Sequence, residues 1–253
     1  MASAVVNRRA HSIVGALVAA RDATVVPHEP APTTPTRSAP VAGPVDDMVL
    51  GYAIGPRAFV GSTIVRVDLV VPVKSFSFAK GRLASVLTDD ERRELARTCA
   101  ERVVAAAGEW RVHVVCDDPD VVTWATSHGC GVVTPTSPGL DAAVDAGRDA
   151  ARIDGAEHIV VAHSDLPLAR SFSHLVTDAV VTLVADRHRD GTNVIALPAS
   201  STFRTAYGPG SFAVHCRRLD DLGIAYRCVD DHELSLDLDT ADDLAELKMR
   251  SAT

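Results

Sequence analysis

The sequence predicts an α/β fold, a single three-layer domain with a mostly parallel central sheet. Three observations carry this. From Val67 onward, short apolar runs alternate with longer helical stretches. Runs such as Leu69–Val73 and Ile159–Ala162 are continuous and rich in β-branched residues, as in strands buried on both faces. Helix-start signals recur between the runs, beginning with the capping box Thr88-x-x-Glu91.

Each element has its own warrant. Leu69–Val73 reads as a strand with Pro72 near its end, where a missing N–H is tolerated. Thr88 opens a helix that runs to about residue 107 with Leu95, Cys99 and Val103 on one face. Residues 111–116 read as a strand. Asp118 and Pro119 cap and open a short helix to Ser127. A strand over 131–134, a helix over 139–152 and a buried strand over 158–162 follow. The pattern then predicts a helix over 171–186, a strand over 193–197 and a helix over 209–222. Two short strands are expected near 225–229 and 235–238. Thr240 caps a last helix with Asp242 and Asp243 in its first turn.

Residues 1–62 read differently, as a flexible extension ahead of one domain over 63–253. Six prolines fall between residues 27 and 44 among Ala, Thr and Ser, a composition that does not build a core. Asn7-Arg8-Arg9 precedes an apolar stretch, Ile13–Ala20, that is too short to span a membrane and too weak for a convincing export signal.

Composition limits the partners. The chain has 253 residues, 47% of them hydrophobic, which suits a packed domain of this size. A net charge of −8 argues against a nucleic-acid binder held by a general basic field. The five cysteines include no C-x-x-C pair, as in a reduced cytoplasmic chain whose thiols are small core residues. Ten histidines form no zinc pattern. Oligomeric state is left open, a homodimer included.

Five constellations fall at element ends. Lys74, Lys80 and Arg82 crowd into one loop beyond the first strand, where open α/β sheets bind ligands, and a polyphosphate is their natural occupant. No Walker motif is present, and three cations in a loop are also what a solvated face looks like. Asp165 emerges just past the strand ending at Ala162, in His163-Ser164-Asp165-Leu166-Pro167. A carboxylate there suits Mg²⁺, a hard cation that takes few protein oxygens, although it could also cap a turn before Pro167. Asp237 and Asp239 lie two apart and so face one side of a strand, a like-charge pair that is costly without a cation. Asp190-Gly191-Thr192-Asn193 offers a close backbone and neutral hydrogen bonds, though as a turn it is ordinary. Tyr207-Gly208-Pro209-Gly210-Ser211-Phe212 opens a helix with free N–H groups and a hydroxyl, a ready anion site.

In this order, with His215 nearby, the set P-V-K, K-x-R-L, S-D-L-P-L, G-T-N, G-P-G-S-F and L-D-x-D-T resembles the 2-phospho-L-lactate / phosphoenolpyruvate guanylyltransferases of coenzyme F-420 biosynthesis. The resemblance covers about residues 65–247; the N-terminal extension departs from the family pattern. It implies a nucleotidyltransferase fold, a GT-A-like Rossmann variant. The implied reaction joins GMP from GTP to a phosphorylated three-carbon acid and releases diphosphate. It places the acid on Thr192, Gly208 and Ser211, and the metal on Asp165, Asp237 and Asp239. On charge grounds Lys74, Lys80 and Arg82 should meet the triphosphate and act catalytically with Asp165, since the chemistry asks for positioning and neutralisation rather than a nucleophile. Asp141 and the carbonyls near 135–139 are candidates for reading guanine. A 3-phosphoglycerate guanylyltransferase, a sugar-phosphate nucleotidyltransferase, a metal-dependent glycosyltransferase and a non-enzymatic binding module are the competing readings.

Overall fold

The computed structural model describes residues 57–60 and 63–251, together with Gly15. Apart from Gly15 and 57–60, the extension expected over residues 1–62 lies outside the described residues. The strands are β1 (Arg57–Val60), β2 (Thr63–Pro72), β3 (Arg111–Val115), β4 (Gly131–Val133), β5 (His158–Ala162), β6 (Val181–Ala185), β7 (Thr192–Pro198) and β8 (Tyr226–Cys228). The helices are α1 (Asp89–Ala105), α2 (Pro119–Ser127), α3 (Leu140–Ile153), α4 (Ser211–Asp221) and α5 (Ala241–Ser251). No helix among the described residues is long and apolar enough to cross a membrane.

The sheet order is β4-β3-β2-β5-β7-β6-β8, with β1 folded back antiparallel on the first half of β2. Along that path only β7 runs against its neighbours, so the mostly parallel sheet is as expected. β1 falls inside the stretch read as extension, and the sheet therefore begins ahead of residue 63.

Both faces are covered, giving three layers. On one face Val67, Leu69 and Val71 pack with Ala96, Ala100 and Val103 of α1 and with Trp124 of α2. On the other face Val70 and Val115 meet Val144 and Ala151 of α3, and Leu219 of α4 belongs to the same cluster. The approach of α3 is close enough to require glycine: a Cβ on Gly147 would stand 2.4 Å from Val70 Cγ1 and 2.7 Å from Val115 Cγ2. The capping box of α1 forms as its spacing predicts, with Thr88 N–H donating to Glu91 Oε2 at 2.8 Å and Glu91 N–H to Thr88 Oγ1 at 3.4 Å.

Two expectations are corrected. Residues 171–186 are not a helix; they hold one short 3₁₀ turn (Ser173–Leu175) and then β6, all five residues of which are buried. Val181-Thr182-Leu183-Val184 is rich in β-branched residues, and between two sheet neighbours it takes the strand that branching favours. Residues 235–238 join no strand ladder. They keep an extended alternation nevertheless, with Leu236 and Leu238 fully buried and Asp237 and Asp239 half-buried on the other side.

Candidate active site

The chain leaves β2, builds β3 and β4 to one side, then returns to place β5 on the other side of β2. That reversal between β2 and β5 is a switch point, and loops diverge there at the carboxyl ends of the strands. The cation loop leaves β2, and the Asp165 loop leaves β5. Because β7 is antiparallel to β5, its first residues lie at this same end, with Val194 opposite Ala162. Thr192 and Asn193 are delivered to the site by strand direction alone.

The metal candidates come together as the sequence suggests. Single carboxylate oxygens of Asp165, Asp237 and Asp239 lie within 4.8 Å of one another. The Leu238 N–H donates to the Asp165 carbonyl at 3.1 Å, and Asn193 Nδ2 donates to the Leu234 carbonyl at 3.0 Å, so two bonds tie the 234–239 segment to the sheet. Lys80 lies among these acids. Its Nζ donates to Asp165 Oδ2 at 2.7 Å and to Asp239 Oδ1 at 3.1 Å, and its side chain is only 5% exposed. Its backbone is left-handed, with φ 58°, a conformation costly outside glycine that the two ion pairs help hold.

Charge and burial compete here. Burial would pull the Lys80 ammonium down, but Asp165 and Asp239 outweigh it and hold its pKa above the ordinary value. Burial would likewise raise Asp165, but the charge of Lys80 holds that carboxyl below the usual range. Asp237 meets no cationic side chain among the described residues; burial, then the Asp165 charge, push it up to about 6. Asp165 Oδ1 is buried without a hydrogen-bond partner among the described residues. A set of hard oxygen donors, one of them orphaned and one whose ionisation the neighbouring carboxylate charge opposes, fits a divalent cation.

Lys74 and Arg82 are exposed at the rim of the same loop, so the structure separates Lys80 from its two expected companions. Asp141 opens α3, and its Oδ1 accepts the Tyr207 N–H at 3.0 Å, which ties it to the 205–210 loop.

A hydrogen bond joins Ser211 to Gly208, whereas the Thr192 hydroxyl meets His215 Nδ1 of the same helix as Ser211 at 2.9 Å. Thr192 and Ser211 are buried, and the Ser211 N–H donates to the Gly208 carbonyl at 3.0 Å. Gly208 has φ 137°, which a side chain would strain. Asp190 accepts from Gly210 N–H through Oδ1 (3.2 Å) and from Phe212 N–H through its carbonyl (3.0 Å), clamping the start of α4 to the 186–191 turn. Arg148 of α3, fully buried, donates to the carbonyls of Phe203 at 2.8 Å and Ser201 at 3.1 Å and anchors the approach to this loop.

Sequence reasoning gave no role to His163, Tyr207 or His215. The His163 and Tyr207 rings lie 5.3 Å apart and those of Tyr207 and His215 5.2 Å apart. His163 Nε2 and the Tyr207 hydroxyl are buried without partners among the described residues. The available signal was position: His163 precedes Asp165 by two, and His215 follows Ser211 by one helical turn. A second carboxylate–imidazole group lies near the amino ends of the strands. Asp68 Oδ2 meets His113 Nε2 at 2.7 Å, while Asp154 pairs with Arg111 at 2.9 Å.

Comparisons with known proteins give the family and the fold. A family model described as guanylyl transferase CofC like matches residues 67–252. A phosphoenolpyruvate guanylyltransferase of Sphaerobacter thermophilus is 35% identical over 187 residues, 70% of this chain and 90% of its own length. A 2-phospho-L-lactate guanylyltransferase of Halorubrum lacusprofundi is 33% identical over 192 residues, 71% of this chain and 83% of its own. Among solved structures, a nucleotidyl transferase from Methanothermobacter thermautotroptrophicus superposes with a TM-score of 0.53 at 17% identity, covering 74% of this chain and 97% of that one.

Proposed function

Because the chain belongs to the CofC-like guanylyl transferase family, we propose that it transfers GMP from GTP to phosphoenolpyruvate, releasing diphosphate, as a step of coenzyme F-420 biosynthesis. Phosphoenolpyruvate is preferred to 2-phospho-L-lactate because the relative named for it is the more similar of the two described. The observation that carries the reading is the meeting, at one switch point, of three carboxylates with a cation-bearing loop.

The work of each residue follows from charge. A phosphate oxygen of the acid must approach the α-phosphorus of GTP, anion against anion, so the protein's task is to align and neutralise. Asp165, Asp237 and Asp239 hold the cation, for which we propose Mg²⁺; when bound it supplies positive charge to the phosphates. Lys80 fixes the orientation of Asp165 and Asp239 while leaving one oxygen of each free. Lys74 and Arg82 at the rim take the charge that grows on diphosphate. Thr192, Gly208 and Ser211 seat the three-carbon acid, with the amino end of α4 favouring its negative charge. Asp141 serves the nucleotide side by fixing the 205–210 loop through Tyr207. We place the enzyme in the cytoplasm, consistent with five free thiols.

The test is incubation with GTP and each of phosphoenolpyruvate, 2-phospho-L-lactate and 3-phosphoglycerate, following diphosphate and identifying the product by mass spectrometry. A guanylated product with phosphoenolpyruvate is expected. Diphosphate release with none of the three refutes the assignment.

A further inference from the structure

We infer that His215 is a positioning residue that assembles the acid pocket, working as the neutral imidazole with its proton on Nδ1. The inference rests on the assignment of Thr192, Gly208 and Ser211 to the acid.

The hydrogen bonds determine the tautomer. The Ala206 backbone N–H reaches His215 Nε2 at 2.8 Å, and a backbone amide can only donate. Nε2 must therefore present its lone pair, and a neutral ring then carries its proton on Nδ1. Nδ1 stands 2.9 Å from Thr192 Oγ1, so this N–H donates and the threonine oxygen accepts. The hydroxyl hydrogen of Thr192 is thereby turned away from the ring. A protonated imidazolium would set N–H against N–H at Ala206. Burial, with the Arg218 charge working against the opposing pull of Asp141, lowers the pKa of His215 to about 4 and keeps it neutral.

One ring thus holds three separate pieces of chain. Ala206 is two residues before Gly208, Thr192 begins β7, and Ser211 lies one turn before His215 on α4. Edge-on contacts with Phe203 (centroids 5.6 Å apart) and Tyr207 fix the ring plane. His215 is itself fully buried, so it acts through these partners rather than on the reacting atoms.

The test uses the full chain with GTP and phosphoenolpyruvate. His215→Phe keeps the ring and its edge contacts but removes both hydrogen bonds. It is expected to raise the KM for phosphoenolpyruvate about tenfold or more and leave that for GTP within about twofold. His215→Asn, whose amide can present an N–H near the place of Nδ1, is expected to recover part of this loss. Should His215→Phe not fold, His215→Asn is compared in wild-type and Thr192→Val backgrounds, where its effect on the acid KM should largely vanish once the threonine hydroxyl is gone. Ring-nitrogen NMR of the wild type is expected to show Nδ1 protonated and Nε2 bare from about pH 6 to 8, with both resonances moving on addition of phosphoenolpyruvate but not of GTP. A ring protonated on Nε2, an unchanged acid KM, or equal rises in both KM values overturns the inference. A wild type that releases no diphosphate with any acid overturns the guanylyltransferase reading instead, and the NMR titration still decides the role of His215.

Discussion

Lys80 buries its side chain against two acids, while Lys74 and Arg82, its expected companions, stay exposed. Its charge and its loop were legible in the sequence, but its contacts were not, because they join positions 85 and 159 residues away. Lys80→Met would leave Asp165 and Asp239 close together without their cation. Breaking a buried pair costs about 3–5 kcal/mol; Asp239 is 46% exposed, so the expected loss is smaller, about 1–3 kcal/mol. Added Mg²⁺ should restore much of the lost melting temperature by replacing the charge, which melting curves with and without MgCl₂ would show. Asp165→Asn should lower turnover by about 10²-fold or more while the fold survives; near-wild-type rates would move the metal elsewhere. His215 gives a pH signature. Its pKa is about 4 in the folded chain against 6.5 for an ordinary histidine, so the unfolded chain binds the proton first. Its contribution to stability is intact above about 6.5 and falls as pH drops toward 4. Asp237, raised to about 6, has the opposite sign, its contribution fading as pH rises through that value. Melting temperatures from pH 4 to 7 should therefore fall less steeply on acidification for His215→Phe than for wild type.

Among the elements, those with strong local signals matched. Capping residues define α1 and α2, and a run of five buried residues defines β5. The 171–186 stretch misled because a short apolar run does not distinguish a buried strand from a buried helix, and only its sheet neighbours settle the matter. Asp237 and Asp239 share a side as predicted, yet a hydrogen bond to Asp165 and two buried leucines hold them, not a strand ladder. Gly147 was invisible as a special position, since its need arises from packing. Gly147→Ala would drive a methyl into two β-branched valines that cannot turn aside cheaply. A loss of about 1–3 kcal/mol is expected, read by urea denaturation, with KM values little changed.

At the scale of the whole chain, the alternation of strands and helices gave the layers but not the strand order. The reversal at β2 and the antiparallel course of β7 between β5 and β6 depend on long-range pairing that no local pattern encodes. The family match begins at residue 67, whereas β1 already pairs with β2 from residue 57. Deleting residues 1–56 should therefore leave melting temperature and turnover close to wild type, while deletion through residue 62 should lower the melting temperature by removing the hairpin partner of β2. The direction of β7 has a consequence for how such an enzyme can diversify. The turn at 186–191, β7, the 201–210 loop and the first turns of α4 are consecutive in the chain, so all three residues proposed to seat the acid fall within one stretch of about thirty residues. The cation loop and Asp165 are encoded upstream of it, and Asp237 and Asp239 downstream. Grafting residues 186–216 from a homologue with another acid preference should transplant that preference as a cassette and leave the choice of nucleotide with the host.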